Sequence, residues 1–513
     1  MYLNADQLPD GTLLQGFDVC IVGAGAAGLA MAVRLAGTAV RVLVLASGSP
    51  ADRGLPAERP QSIYRGTVGA FLEKVDPVFL HRSRLHMYGG TTNHFGFWSR
   101  PLDEIDFRSR PGCRDAAWPF PLADLTPYYT DAHAFGHFGP FNYDDQAFWE
   151  QVMYAHPFDP LPGDTLRGAI IRAQYDESLH DFQVQFGDLL RAAANITVLF
   201  NAHLLTIEAE SGHVTGLRCA TLEGGSFRVQ AGRYALAMGG IENTRVLKLS
   251  GDLGNNARDH LGRGFMVHPL LTSAARARFG QPVSPLIRGF FRDQQIRLHA
   301  NGDGTYSHMY TPLVNPEYIF DYHVFNAWGI LVPDAEVLER EQIGNFRFIL
   351  RFSPSGDEAI LNLNWEQLPN EASRIALNPA RLDPVFGQPV AHLDWHLLDA
   401  DKRTAVRALE IARDYLAQRG AVDFEYITDL SGGAEDWSFA PHEGALATGD
   451  HHMGTLRMSA RPEDGIVNPD SRVHTVDNLY IAGCAVFPTG GFANPTLTIV
   501  ALALRLADHL RGL

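Results

Sequence analysis

The chain has 513 residues, 46% hydrophobic and 19% charged, with a formal net charge of −16. That length exceeds one ordinary core and predicts two domains, sequential or interleaved. The composition is globular, and no apolar run reaches the roughly eighteen residues of a membrane helix. The acidic balance, without clustered Lys or Arg, argues against nucleic acid or an anionic membrane surface as a partner.

Met1 to Gly16 is polar, with no basic stretch and apolar core ahead of the first strand, so no secretory leader is expected and the location reads as cytoplasmic. Phe17 to Val22 is a short apolar run. Gly23-Ala24-Gly25-Ala26-Ala27-Gly28 follows, then a small, apolar helix to Leu35 and a second strand over Val40 to Leu45. This is a βαβ unit whose glycine turn seats a dinucleotide pyrophosphate. Gly23 permits the turn, Gly25 lets phosphate approach the backbone, and Gly28 allows close helix-to-strand packing. The second strand should end in Asp or Glu for the ribose hydroxyls, but Ala46 and Ser47 stand there, leaving Ser47 or the backbone to serve.

Further strands are expected at Ile196 to Phe200, Leu204 to Ile207 and Val214 to Cys219, with a Glu-Ser-Gly turn between the last two. Tyr234 to Gly240 runs into a helix starting near Glu242, its glycines letting the chain pass close to the cofactor, and Asn478 to Gly483 is another strand ending in glycine. Phe346 to Phe352 and Leu361 to Trp365 alternate apolar and polar residues, as antiparallel strands with one covered face do. Asp399 to Gln418 reads as an amphipathic helix stopped by Gly420. Cys20, Cys113, Cys219 and Cys484 have no metal-ligand spacing and are expected to be buried thiols, with no metal site.

The chemistry is expected near the C-terminus. His451-His452-Met453-Gly454-Thr455 supplies a base, and Gly490-Gly491-Phe492-Ala493-Asn494-Pro495-Thr496 places an amide at a helix mouth. Asn494 reads as the N-cap of a helix over Thr496 to Leu510, with Pro495 at N1.

Together with Gly89-Gly90-Thr91-Thr92-Asn93-His94 and Ala237-Met238-Gly239-Gly240-Ile241-Glu242-Asn243, these motifs resemble, in order and over most of the chain, the glucose-methanol-choline (GMC) oxidoreductases. The resemblance implies an α/β (α+β overall) fold: a Rossmann-type FAD-binding domain with a parallel sheet, plus a substrate domain on an antiparallel sheet. The expected division is 1–75, 185–262 and 441–513 for the FAD domain, 76–184 for a flavin-flanking and cap segment, and 263–440 for the substrate domain. FAD rather than NAD is implied. Its expected contacts are Gly23, Gly25, Ala26, Ala27, Gly28, Ser47, Gly90, Thr91, Asn93, His94, Leu204, Ala237, Gly239, Gly483, Ala485, Asn494, Pro495 and Thr496.

His451 matches the family's active-site histidine and Asn494 its partner, which is His or Asn in different members; pyranose-type and choline-type relatives carry the same pairing. A neutral imidazole suits removal of an alcohol proton while hydride leaves carbon for flavin N5. Adjacent His452 is a further catalytic candidate. Some members attach flavin through a histidine at the place of His94, and the spacing here permits it. Of Phe95, Phe97 and Trp98, at least two are expected in the core, with a substrate wall as the other role. Trp118 to Tyr129 resembles a structural stretch of bacterial members.

The expected function is oxidation of a CH–OH group of a sugar, polyol or natural-product alcohol, with O2, a quinone or another acceptor taking the electrons. The alternatives are a lyase that keeps flavin as scaffold and histidine as base, and a degenerate flavin-binding protein.

Overall fold

A computed structural model describes residues 1–49, 58–110, 113, 116–153, 161, 163–174, 182–301, 306–308, 322–439 and 441–513. The first sheet takes its strands from three distant stretches of chain. Tyr2–Asn4, Ile196–Phe200, Val42–Leu45, Thr12–Val22 and Ser226–Leu236 lie side by side and parallel, and Leu479–Ile481 pairs in parallel with the last of these. Val42–Leu45 is buried at every position, because helices cover both faces of such a sheet. His203–Glu210 and His213–Ala220 extend it as an antiparallel hairpin. Ser211 and Gly212 both have positive φ in its turn, the geometry that matches the twist of paired strands.

Helix Ala26–Leu35 packs against C-terminal helix Thr496–Gly512. Gly28 permits this helix's approach to the sheet: a Cβ there would stand 1.9 Å from the Gly23 carbonyl oxygen. The helix after Ser226–Leu236 spans Gly240–Leu249, starting two residues earlier than the sequence suggests.

The second sheet is antiparallel throughout and includes Leu166–Gln174, Pro269–Phe279, Tyr322–Pro333, Phe346–Phe352 and Glu358–Trp365. Helix Asp399–Ala417 covers one face with Ala405, Ala408, Leu409, Ala412 and Leu416. Phe346, Phe348 and Leu350 point into that core. The other face is covered only where the strand begins: Arg347 is 2% exposed, Ile349 is half-buried and Arg351 is exposed. A small third sheet joins Arg374–Leu382 and Pro389–Asp394 to Thr67–Val68. The four cysteines are free and buried, and no helix among the described residues is long and apolar enough to cross a membrane.

Candidate active site

The parallel strands Thr12–Val22, Val42–Leu45, Ser226–Leu236 and Leu479–Ile481 end at one place. Val22, Leu45, Ala237 and Ala482, at or just beyond those ends, line a cavity of about 520 Å³. Ligands of open α/β sheets sit at such carboxyl ends. Gly25, Gly239 and Gly483 also line it, and nothing stands within 4 Å of where a Cβ would project from any of them. Bare backbone is thus presented at three points. Helix Ala26–Leu35 opens onto the cavity behind Gly25 with no side chain capping it, leaving its first N–H groups for phosphate oxygens. These features fit a dinucleotide such as FAD.

Of the expected contacts, Gly23, Gly25, Ala26, Ala27, Ser47, Gly90, Thr91, His94, Leu204, Ala237, Gly239, Gly483, Asn494, Pro495 and Thr496 line this cavity. Gly28, Asn93 and Ala485 do not. Gly28 serves packing, the Asn93 amide donates to the Tyr88 and Gly90 carbonyls, and the Ala485 carbonyl accepts from the Leu456 N–H. Ser47 is on the wall while Ala46 is buried beneath it. Nearby, His86 Nε2 and His203 Nδ1 are 3.0 Å apart, both kept neutral by burial, in a part of the wall the motifs leave unmarked.

At the other end, Met266 and Met453 exchange both backbone hydrogen bonds, and the Gly449 N–H donates to the His268 carbonyl. That pairing puts His268 beside His451, with 2.7 Å between their Nδ1 atoms. The Gly490 carbonyl lies 3.4 Å from His268 Nε2 and can only accept, so His268 carries its proton on Nε2. His268 Nδ1 is then an acceptor, His451 donates to it through Nδ1–H, and the free lone pair of His451 is on Nε2. Burial holds the pKa of His451 well below the ordinary range, helped by His268 and Arg347. Burial likewise lowers that of His268 to about 4. Both rings are neutral near pH 7.

Asn494 faces that lone pair, its Nδ2 lying 3.4 Å from His451 Nε2. The orientation is fixed from behind by Arg347 Nη2, which donates to Asn494 Oδ1 at 2.9 Å. Asn494 is therefore not the helix cap; Pro495 occupies the N-cap position and no side chain caps Thr496–Gly512. The amide is already committed to Arg347 and His451.

His452 is not brought to this pair. Its ring lies between Phe79 and Phe265, and its Nε2 is 2.9 Å from Ser83 Oγ. Ser83 donates its only hydroxyl proton to the Phe79 carbonyl, so His452 Nε2 donates to Ser83 and offers no base there. Adjacent residues on an extended chain point apart, and only one of the two faces Asn494.

The loop carrying Asn494 stands on a buried polar platform. The Gly491 N–H donates to Glu366 Oε1, Glu366 pairs with Arg110, and Trp118 Nε1 donates to Thr489 Oγ1, which itself donates to the Asp106 carbonyl. Trp118 thus anchors the site loop from a stretch with no chemistry of its own. Burial, reinforced by Glu366, raises the pKa of Asp106. The aromatic run divides: Phe97 is fully buried, Phe95 is half-buried, and Trp98 is 38% exposed on the cavity wall. Two of the three rings thus serve core packing, Phe97 within the core and Phe95 packed against it.

The fold and cavity fit a dinucleotide-dependent oxidoreductase, with the neutral ring of His451 on the cavity wall. Residues 369–503 match the family model described as GMC oxidoreductase. Among curated proteins, 2-methyl-1,2-propanediol dehydrogenase of Mycolicibacterium austroafricanum is 22% identical, covering 96% of this chain and 95% of its own. Choline oxidase of Arthrobacter globiformis is 23% identical, over 99% and 96% respectively. Among solved structures, pyridoxine 4-oxidase from Mesorbium loti shares the fold with a TM-score of 0.53 at 18% identity, over 96% of this chain and 99% of that one. The stretch that carries His451 and Asn494 is thus similar to the GMC oxidoreductases.

Proposed function

We propose that the protein is an FAD-dependent oxidoreductase that oxidises a CH–OH group of a small molecule, with His451 as the base. The observation that carries this reading is the hydrogen-bond order Gly490–His268–His451, which leaves the lone pair of His451 on Nε2 beside Asn494. Bound FAD supplies the two-electron hydride acceptor. His451 Nε2 takes the hydroxyl proton, and Asn494 Nδ2–H donates to the same oxygen as negative charge grows there. Arg347 keeps the Asn494 amide from flipping, and its charge opposes protonation of His451. Thr496–Gly512 presents its uncapped N-terminus to the cavity through Pro495, Thr496 and Ile499, where it favours negative charge.

His451→Ala tests the assignment. Anaerobic flavin reduction should slow by on the order of a hundredfold while FAD stays bound, as for loss of a general base. A variant reduced as fast as wild type would remove His451 from the chemistry. His94, exposed on the cavity wall, is proposed as the point of covalent attachment. Flavin should then remain with acid-precipitated protein; release of all of it into the supernatant rules the bond out.

A further inference from the structure

Six of the seven tryptophans are buried, and Trp98 alone is exposed, at 38%. It opens onto the cavity whose wall also carries His451 and Asn494. The indole is held on two sides. Trp328 meets it edge-on, with 5.0 Å between ring centres and 76° between planes. The guanidinium carbon of Arg347 lies 5.9 Å from its centre, and the same guanidinium donates to Asn494 Oδ1. One guanidinium group thus separates Trp98 from the amide that faces His451. Gly96 lines the cavity at the pyrrole edge of the indole, where a Cβ would stand 3.2 Å from Nε1. A large aromatic ring fixed from behind and bare toward a cavity is a contact surface for a ligand.

Charge and polarity around the ring say which ligand. Among the described residues, Asp450 and Glu242 are the carboxylates on the cavity wall, and each already holds an arginine, Arg82 at 2.6 Å and Arg245 at 2.7 Å. A cationic alcohol would find no free acid, and the positive charge of Arg347 behind the indole opposes it. Phe95, Gly96 and Phe97 before Trp98, and Pro495 after Asn494, line the cavity without a polar side-chain atom. A polyhydroxylated ring laid there would bury hydroxyls that lack partners, whereas an aromatic ring has none to satisfy.

We propose that Trp98 stacks on the ring of the substrate and that the substrate is a neutral aromatic alcohol, its carbinol carbon between His451 and Asn494. This rests on the reading of His451 and Asn494 as the reacting pair. Oxidation to the carbonyl compound breaks one carbinol C–H bond and the O–H bond. The hydride leaves for FAD, the proton goes to His451 Nε2, and the aromatic ring is unchanged.

Benzyl alcohol, glucose and choline test the assignment as reductants of the oxidised holoenzyme under anaerobic conditions. Bleaching of the flavin band gives a limiting rate and an apparent Kd for each. The ratio of rate to Kd should be at least about tenfold higher for benzyl alcohol than for the other two. Trp98→Ala should raise the apparent Kd of benzyl alcohol about tenfold, as loss of an aromatic stack requires, and Trp98→Phe should recover most of the affinity. The effect should fall on Kd rather than on the limiting rate, with FAD still bound. No reduction by benzyl alcohol, or equal reduction by glucose or choline, overturns the proposal without any variant. An unchanged Kd in Trp98→Ala also overturns it, and loss of FAD from that variant would make the ring a cofactor contact instead. Reduction by glucose that is lost in His451→Ala would leave the His451 reading standing and sink this one alone. Reduction by benzyl alcohol that survives His451→Ala, with Kd still dependent on Trp98, would sink the base and leave the stack.

Discussion

His268 and His451 meet through their Nδ1 atoms at 2.7 Å, and this contact leaves the lone pair of His451 on Nε2. Without an acceptor at that position, the proton of a neutral His451 is free to move to Nε2, the atom that the proposed mechanism needs bare. In the proposed mechanism His268 is the group that orients the base, a neutral imidazole in place of the more familiar carboxylate.

His268→Leu should therefore lower flavin reduction by about tenfold or more, as for a base left in the wrong tautomer, with substrate affinity little changed. His268→Asn keeps an amide oxygen able to accept from His451 Nδ1 and should recover most of the rate. A structural role alone predicts that both variants lose melting temperature together and that asparagine rescues nothing in stopped-flow reduction.

Asn494 separates positioning from capping. Asn494→Asp places a carboxylate on Arg347, an ion pair that should keep the melting temperature at or above that of wild type. It also removes the donor facing His451 and favours the imidazolium, so reduction should slow by about tenfold and its acidic limb should move to higher pH. Asn494→Ser is too short to reach Arg347 and leaves another unmet donor, costing about 1–3 kcal/mol of stability. Serine caps helices well, so a serine variant as stable as wild type would restore the capping role that the geometry denies.

Burial lowers the pKa of His268 to about 4 and puts that of His451 well below its ordinary range. The native state refuses protons there that the unfolded chain accepts from about pH 6.5 downward. Stability should thus rise with pH between about 4 and 6.5, a window set by the lowered value of His268, and these two groups should contribute no slope above it. Urea titrations across this range, on wild type and on His268→Asn, measure the slope. Its failure to shrink in the variant would dissociate His268 from the pH dependence.

Gly491 has φ +54, and a Cβ on it would stand 2.4 Å from Asp106 Oδ2 and 2.9 Å from Leu102 Cδ2. Gly491→Ala should lower stability by about 1–3 kcal/mol through backbone strain. It should also slow reduction by displacing the loop that holds Asn494. Thermal melting and anaerobic reduction measured together check both, and a variant unchanged in each would show the Glu366 platform to be pliable.

The sequence by itself determined the elements whose signals are local. The glycine turn at Gly23 to Gly28, the strand Phe346–Phe352, the helix beginning at Asp399 and the residue pair His451 and Asn494 are all legible, because periodicity and turn chemistry act over a few residues. The structure alone decided what those residues meet. His268 reaches His451 across 183 positions, and Arg347 reaches Asn494 across 147. Neither carries a motif, and Arg347 sits at a polar position of an alternating strand, the pattern of a solvated face. His452 and His451 look equivalent in the chain, yet pairing of Met453 with Met266 turns one toward Asn494 and leaves the other between Phe79 and Phe265. Asn494 before Pro495 looks like a helix cap until a guanidinium from another sheet claims its amide. Hydrogen-bonding capacity is written in the sequence; the choice among partners depends on which elements close packing brings within reach.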